Sequence, residues 1–417
     1  MINSSILKIS PTPLSGSVNL SGSKISAIVG LIISLSTTER FIFSNFPKDL
    51  LDVKICLKMI EDLGKKINLN QNNVTITQSK KLNDKLLSDK YSIRYTLLII
   101  ASLLVNQNKV KVPLPGGCKI GNRKIDVFEY IFKKFGVDFV ISENHMTAET
   151  KKKLKVDKLV LQKVSTGGTL CALILSSTTI GKTLIENAHI RPEVIDIINL
   201  FNKMGAKISY SNNTIEVEGS DSLSGANFRL MDDIIEAFTY LILGATTKGE
   251  IKIKNYPFAY LEIPTKLLHE SGANIFVNNN DLIISNGSIL PFKLFTGRYP
   301  QIQSELQPLF SSYALFSNGT SYITDYRFPE RYQYIEELKK LGASIKKNRN
   351  GIEIKGTSIV NGGTVKALDI RCGAALIIAA ICAKGDTIIK NANEIKRGYE
   401  NIDLKINSLG GKINFQH

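Results

Sequence analysis

The stretch FNKMGAKI, residues 201–208, carries the reading on which the fold rests. Apolar residues at helical spacing run up to a glycine, Gly205, and a short alternating stretch follows it. Glycine just past a periodic apolar segment marks a helix C-terminus, where the backbone turns left-handed. The same pattern recurs as IEDLGKKI (60–67), FKKFGVDF (132–139), LHESGANI (268–275), LKKLGASI (338–345) and INSLGGKI (406–413). The repeat glycines Gly64, Gly136, Gly205, Gly272, Gly342 and Gly410 stand 67 to 72 residues apart. A fixed period of this kind signals one structural unit used repeatedly.

Working outward, most copies continue into a polar turn and a second strand. Asn72-Asn73, Asn212-Asn213, Asn279-Asn280 and Asn350-Gly351 precede such strands. Asn and Gly supply the positive φ of tight hairpin turns. Upstream of each signature lies another strand: FIFSNFP (41–47), KVKVPLP (109–115), TLIENAH (183–189), IKIKNYP (251–257), SYITDYR (321–327) and TIIKNAN (387–393). Before each of these is a strongly apolar segment: Ile25–Leu35, Ile93–Val105, Gly168–Ser176, Ile234–Leu243, Leu306–Phe316 and Ala374–Cys382. Helices this apolar belong in a core. The unit is therefore an apolar helix, a strand, an amphipathic helix and a hairpin. Six units divide into two domains of three, with a closed six-unit ring as the alternative. A chain of 417 residues is too long for one ordinary core, which favours two domains.

Composition narrows the function classes. Apolar content of 43% and charged content of 22% are ordinary for a globular protein. The start of the chain carries no apolar leader, and the longest apolar stretches are too short to span a bilayer, so a cytoplasmic location is expected. The five cysteines form no CxxC pair and lie at no metal-ligand spacing from a histidine. The charge of +16 fits either an anionic partner or a lysine-rich codon bias. The lysines are scattered and form no aromatic-interleaved stripe, which argues against nucleic acid. Neither GxxxxGK[ST] nor GxGxxG occurs.

Chemistry collects in two places. Polar residues precede each apolar helix: Ser21-Gly22-Ser23-Lys24, Ser92-Ile93-Arg94, Lys163–Gly167, Asp232-Asp233, Ser304-Glu305 and Asp369-Ile370-Arg371. Helix N-termini attract anions. Asp232 and Ser304 read as ordinary N-caps. Lys24, Arg94 and Arg371 oppose the local dipole, which points to bound anions. The other place is LPGGCKIGNR (114–123), an enlarged loop in the second unit with glycines and cations flanking Cys118. Cationic neighbours favour a reactive thiolate; a small buried hydrophobe is the competing reading. The sixth unit's equivalent loop carries Lys396-Arg397-Gly398. His145, His189, His269 and His417 fit no triad, which leaves carboxylates and Cys118 for proton transfer.

The motifs SGSK (21–24), LPGGCKIGNRKID (114–126), KVSTGGT (163–169), RPEVID (191–196), DIR (369–371) and IKRGYENI (395–402) resemble the UDP-N-acetylglucosamine 1-carboxyvinyltransferases. The likeness runs from about Ser15 to Ile413. It implies an α/β fold of two inverse α/β barrels, one of residues 22–229 and one of residues 1–21 with 230–417. It also implies transfer of an enolpyruvyl group from phosphoenolpyruvate to the 3′-hydroxyl of UDP-N-acetylglucosamine, with release of phosphate. This would be the first committed step of peptidoglycan precursor synthesis, run by addition and elimination without metal or organic cofactor. A monomer is expected, with two small-molecule substrates and no nucleic-acid or membrane partner.

By the same resemblance, Cys118 would protonate or trap phosphoenolpyruvate, and Lys24, Arg123 and Arg397 would hold its anionic groups. Arg94 and Arg371 would shape that pocket, with Asp369 near the reacting centre. Glu305 would be the base on the sugar hydroxyl. Lys24, Ile25, Arg94, Arg123, Lys124, Ile125, Asp126, Lys163, Val164, Thr166, Gly167, Glu305 and Arg327 would line the sugar nucleotide. The chain departs from the family at several of these places. Glu305 replaces an aspartate, Ile25 an asparagine, Lys124 a proline, Ile234 an arginine and Arg191 an acidic residue. Two alternatives follow: a relative that binds the sugar nucleotide without turnover, and the shikimate-pathway enolpyruvyl transferase, against which Cys118 argues.

Overall fold

Six apolar helices form the interior. In the computed structural model, which describes residues 5–78, 80–86, 93–116, 125–151, 154–356 and 359–416, they span Lys24–Ile33, Thr96–Leu103, Thr166–Ser177, Ile234–Thr246, Gln307–Ala314 and Ile370–Ile381. Nearly every residue of Ile370–Ile381 is buried. A helix without a polar face can only sit inside a shell of other elements. That shell is made of sheets. Strands such as Ile6–Ser10 and Thr214–Gly219 alternate buried and less buried residues, one face on the helices and the other toward solvent. Helices inside and sheets outside make an α/β architecture with the usual barrel order inverted.

The described strands form five four-stranded sheets and one of three strands. In four of the larger sheets, consecutive strands make the hairpin expected from sequence; Lys207–Ser211 against Thr214–Gly219 is one. The larger sheets also hold a strand that the sequence did not announce. Lys158–Val160 runs parallel to Gly181–Glu186, and Lys293–Thr296 runs parallel to Thr320–Asp325. In the three-stranded sheet, an isolated parallel bridge from Lys85 to Lys111 stands in that place.

All six repeat glycines have positive φ, from +73° at Gly136 to +111° at Gly64. The hairpin turns follow the Asn pattern at Asn212 and Asn279. The first differs: its left-handed residue is Gln71, because strand Lys65–Asn70 ends one residue earlier than the Asn72-Asn73 reading required.

Buried apolar residues fall into two clusters. One draws on Ala27 to Leu230. The other combines Leu7, Ile9, Leu14, Val18 and Leu20 with residues from Ile234 to Ile413. The N-terminal strand Ile6–Ser10 explains that combination, since it lies between Lys384–Lys390 and Lys412–Gln416. The chain passes between the clusters at two adjoining segments. There Ser23 N donates to Met231 O at 2.8 Å, and Asp233 N donates to Ser21 O at 2.8 Å. No described helix is long and apolar enough to cross a membrane.

Gly205 caps the helix Pro192–Met204 at φ +108°, with nothing within 4 Å of where a Cβ would stand. The cost of a side chain there is therefore one of backbone conformation alone. Gly205→Ala should lower unfolding free energy by about 1 kcal/mol, and Gly205→Asn by less, because asparagine tolerates the left-handed region. Urea titrations of the three proteins give the order.

Candidate active site

Lys24 opens the helix Lys24–Ile33, behind the N-cap Ser23, whose Oγ accepts from Ser26 N at 3.4 Å. Its Nζ lies 3.2 Å from Asp52 Oδ2. Asp52 stands in the first turn of the helix Leu51–Asp62, where a carboxylate suits the dipole. Arg397, which belongs to the other core, donates from Nε to Asp52 Oδ1 at 2.8 Å and from Nη1 to Glu394 at 3.0 Å. Only 7% of the Asp52 side chain is exposed. Burial pushes its carboxyl up, but Lys24 and Arg397 outweigh that and hold it below the ordinary carboxylate range. A cation from each core therefore meets on one carboxylate.

Glu305 is the mirror case. It follows Ser304, which is fully buried and donates from Oγ to Gly297 O at 3.1 Å and to Asp325 Oδ1 at 2.8 Å. Asp325 Oδ1 also accepts from Arg327 N at 2.8 Å and Phe328 N at 3.0 Å, so one carboxylate sets the turn of Glu305 and the loop of Arg327. Glu305 Oε1 accepts from Arg191 Nη1 at 3.3 Å, across from the first core, and Oε2 lies 3.7 Å from Arg327 Nη1. Burial pushes this carboxyl up too. Arg191, Arg327, Arg371 and Arg331 overcome the effect and hold it well below the usual range, so it stays ionised.

Arg371 lies over the Tyr399 ring, 5.4 Å from its centroid. Arg331 reaches Asp369 Oδ1 at 3.4 Å. Buried nitrogens on both, Arg371 Nη1 and Arg331 Nε and Nη1, find no hydrogen-bond acceptor among the described residues. Buried donors left in this state are costly, and anionic ligands relieve that cost. Asp369 is the N-cap of its helix, accepting from Arg371 N at 2.7 Å and Cys372 N at 2.9 Å.

The residues expected to line the sugar nucleotide form a separate group. Lys163 Nζ meets Asp126 Oδ2 at 2.7 Å, with 63% and 40% of the side chains exposed. Thr166 Oγ1 lies 2.8 Å from His189 Nδ1. Burial, with Arg191 and Arg327 nearby, pushes the His189 imidazole down to about 3, so it is neutral. A Cβ on Gly167 would stand 2.8 Å from Phe128 Cζ, so this turn takes no side chain. Ile25, Ile125, Val164 and Arg94 are half-buried. Cys118, Arg123 and Lys124 lie outside the described residues.

Two N-cap readings change. The cap of the helix Ile234–Thr246 is Asp233, and Asp232 instead accepts from Asn45 and Arg229. Ser304 caps no helix and secures the Glu305 turn as described. Sequence reading also missed Asp52, Gln303, Asp325 and Arg331, and it named Arg191 only as a departure, without a place in the site. The available signal was Asp325, an aspartate where four other units carry the left-handed asparagines Asn45, Asn187, Asn255 and Asn391.

The depressed Asp52 carboxyl has a consequence for stability. Its contribution is in place above the unfolded value of about 3.9 and is lost as pH falls through the lower folded value. Asp52→Asn removes the carboxylate that Lys24 and Arg397 share, leaving Arg397 with Glu394. It should cost about 3–5 kcal/mol between about pH 5 and 8, with the difference shrinking below about pH 4. Urea unfolding of both proteins across that range checks the sign and the window.

The sequence profile of EPSP synthase (3-phosphoshikimate 1-carboxyvinyltransferase) matches residues 9–406. The chain is 37% identical over 415 residues to the UDP-N-acetylglucosamine 1-carboxyvinyltransferase of Elusimicrobium minutum, covering 97% of this chain and 96% of that one. It is 35% identical over 408 residues to the protein of the same name from Buchnera aphidicola, covering 97% and 98%. Among solved structures, the enolpyruvyl transferase NikO from Streptomyces tendae superposes with a TM-score of 0.89 at 20% identity, covering 99% of each chain. EPSP synthase from Acinetobacter baumannii superposes with 0.77 at 16% identity, covering 99% of this chain and 100% of that one. The two structures establish a shared fold. The full-length relatives narrow it further, and the chain belongs to the EPSP synthase family, among its UDP-N-acetylglucosamine 1-carboxyvinyltransferases.

Proposed function

We propose that the chain transfers the enolpyruvyl group of phosphoenolpyruvate to the 3′-hydroxyl of UDP-N-acetylglucosamine, releasing phosphate. The observation that carries this reading is the set of buried guanidinium donors on Arg331 and Arg371 without acceptors among the described residues, beside Glu305. Cations poised in this way suit a substrate with both a carboxylate and a phosphate. Lys24, Arg123 and Arg397 hold those groups, displacing Asp52 from its two cations, while Arg94 and Arg371 line the pocket. Lys163, Asp126, Ile125, Lys124, Val164, Thr166, Gly167, Arg327 and Ile25 face the sugar nucleotide. Residues 22–229 form one domain and residues 1–21 with 230–417 the other, and the substrates lie between them.

In the addition step, Glu305 takes the proton of the 3′-hydroxyl as that oxygen bonds to C2 of phosphoenolpyruvate. The C2–C3 electron pair takes up a proton at C3, supplied by the Cys118 thiol. Elimination then returns a C3 proton to the Cys118 thiolate and expels phosphate, restoring the double bond. Asp369 lies beside the reacting centre. The protein works in the cytoplasm as a monomer, with neither nucleic acid nor membrane as partner. A second reading, binding without turnover, draws on the ion pair that already engages Glu305 Oε1.

Phosphate release from phosphoenolpyruvate decides between these readings. Release that depends on UDP-N-acetylglucosamine, and not on shikimate 3-phosphate, is the expected result. Calorimetric binding of the sugar nucleotide with no release would favour the second reading. Thiol chemistry gives an independent check. Burial pushes the thiols of Cys56 and Cys171 far up, Cys372 up to about 12 and Cys382 up to about 11, so these four are poor nucleophiles. An epoxide phosphonate should add once to the protein and not at all to Cys118→Ser, as read by intact mass.

A further inference from the structure

Arg191 occupies a position that the reaction as proposed leaves without a role. It precedes the helix Pro192–Met204, is 2% exposed, and belongs to the first core. Its guanidinium is engaged on every side. Nε and Nη2 clasp Glu193 at 2.6 Å and 2.8 Å, a bidentate contact that fixes the plane of the fork. Nη2 also donates to Gln303 Oε1 at 3.0 Å. With those bonds in place, Nη1 points in one direction, to Glu305 Oε1 at 3.3 Å. Gln303 and Glu305 belong to the other core, so the fork reads two side chains of one short turn across the gap between the cores.

The other carboxylate oxygen is treated differently. Glu305 Oε2 has no hydrogen-bond partner among the described residues, although it is buried and only 22% of the side chain is exposed. Arg327 stands 3.7 Å away, too far for a hydrogen bond. One oxygen is held and the other is left with a free acceptor site. A glutamate has one more rotatable bond than an aspartate, and without a tether its carboxylate samples several positions. A fixed donor on Oε1 removes that freedom.

We infer that Arg191 is a positioning residue for Glu305: its Glu193-oriented fork holds Oε1, so that Oε2 is presented to the sugar hydroxyl when the two cores are together. This rests on the transfer reaction proposed above. Other charged groups facing Glu305 are Arg327 and Arg331 from the loop after Thr320–Asp325, Arg371 from the helix Ile370–Ile381, and the neutral His189 beside Arg191. Each adds field or polarity, but of these groups only Arg191 makes a hydrogen bond to the Glu305 carboxylate among the described residues.

The test uses the full chain and steady-state phosphate release over a range of pH, with circular dichroism at each pH to follow folding. Arg191→Lys keeps a charge but loses the fork. Its kcat should fall on the order of 10²-fold, with the KM for UDP-N-acetylglucosamine moving by less than about 3-fold. Its acid limb should stay near that of the parent. Arg191→Gln combined with Glu193→Gln removes one charge of each sign. It should lose a similar factor in kcat and also move the acid limb up by at least about one pH unit, because Glu305 then ionises with less help. A parental kcat in Arg191→Lys overturns the inference. So does an unmoved acid limb in the double variant with kcat falling only in step with the folded fraction. A parent protein that releases no phosphate overturns the proposed reaction itself, and this inference with it.

Discussion

Each core buries a carboxylate whose neutralising arginine comes from the other core. Asp52 belongs to the first and receives Arg397 from the second. Glu305 belongs to the second and receives Arg191 from the first. An uncompensated charge in such a place is expensive, and a pair broken by removing one partner typically costs several kcal/mol. The arrangement of the two cores is therefore tied to the site's electrostatics: apart, Asp52 would keep Lys24 but lose Arg397, and Glu305 would keep Arg327 but lose its hydrogen bond from Arg191. Backbone contacts add to the same apposition, since Asp49 N donates to Glu400 Oε1 at 2.9 Å.

The fold was largely legible because its signals are local. A left-handed residue after an amphipathic helix demands glycine, and six such glycines at a near-constant period are visible without any tertiary information. The apolar helices were equally plain, since a segment such as Leu376–Ile381 has no polar face to offer solvent. The parallel strand in each larger sheet escaped notice for a physical reason. Lys158–Val160 and Asn227–Arg229 are three residues long, too short for alternation to register, and their pairing partners lie far along the chain or beyond a whole helix. The Gln71 turn escaped because register, not residue preference, decided which position turns left-handed.

The site was legible in its cations and illegible in their partners. Lys24, Arg371 and Arg397 stand out because positive charge at a helix start or in a glycine-bearing loop has no local justification. Asp52, in the first turn of an ordinary amphipathic helix, has a complete local justification, and nothing in its neighbourhood reveals that it receives cations from two elements. Arg331 is similar: its sequence context is a polar loop, yet it is buried against Asp369. Burial and partnership are decided by where two distant segments come together, and a single sequence does not encode that at any fixed spacing.

Arg191 and Glu305 look like two separate departures when the chain is read residue by residue. In space they are one. An arginine beside this carboxylate makes an ion pair where an acid would repel it, and its fork reaches across the gap between the cores to meet the longer side chain. An aspartate at 305 would end about 1.5 Å nearer its own backbone, stretching the 3.3 Å contact beyond hydrogen-bonding range. A glutamate without Arg191 would lose the donor that fixes it, and would sit beside Glu193 with one fewer cation between two carboxylates. Either change alone leaves a less firmly held carboxylate than both together. The extra methylene, which on its own suggests a loosened active site, is then the length that the arginine across the gap requires.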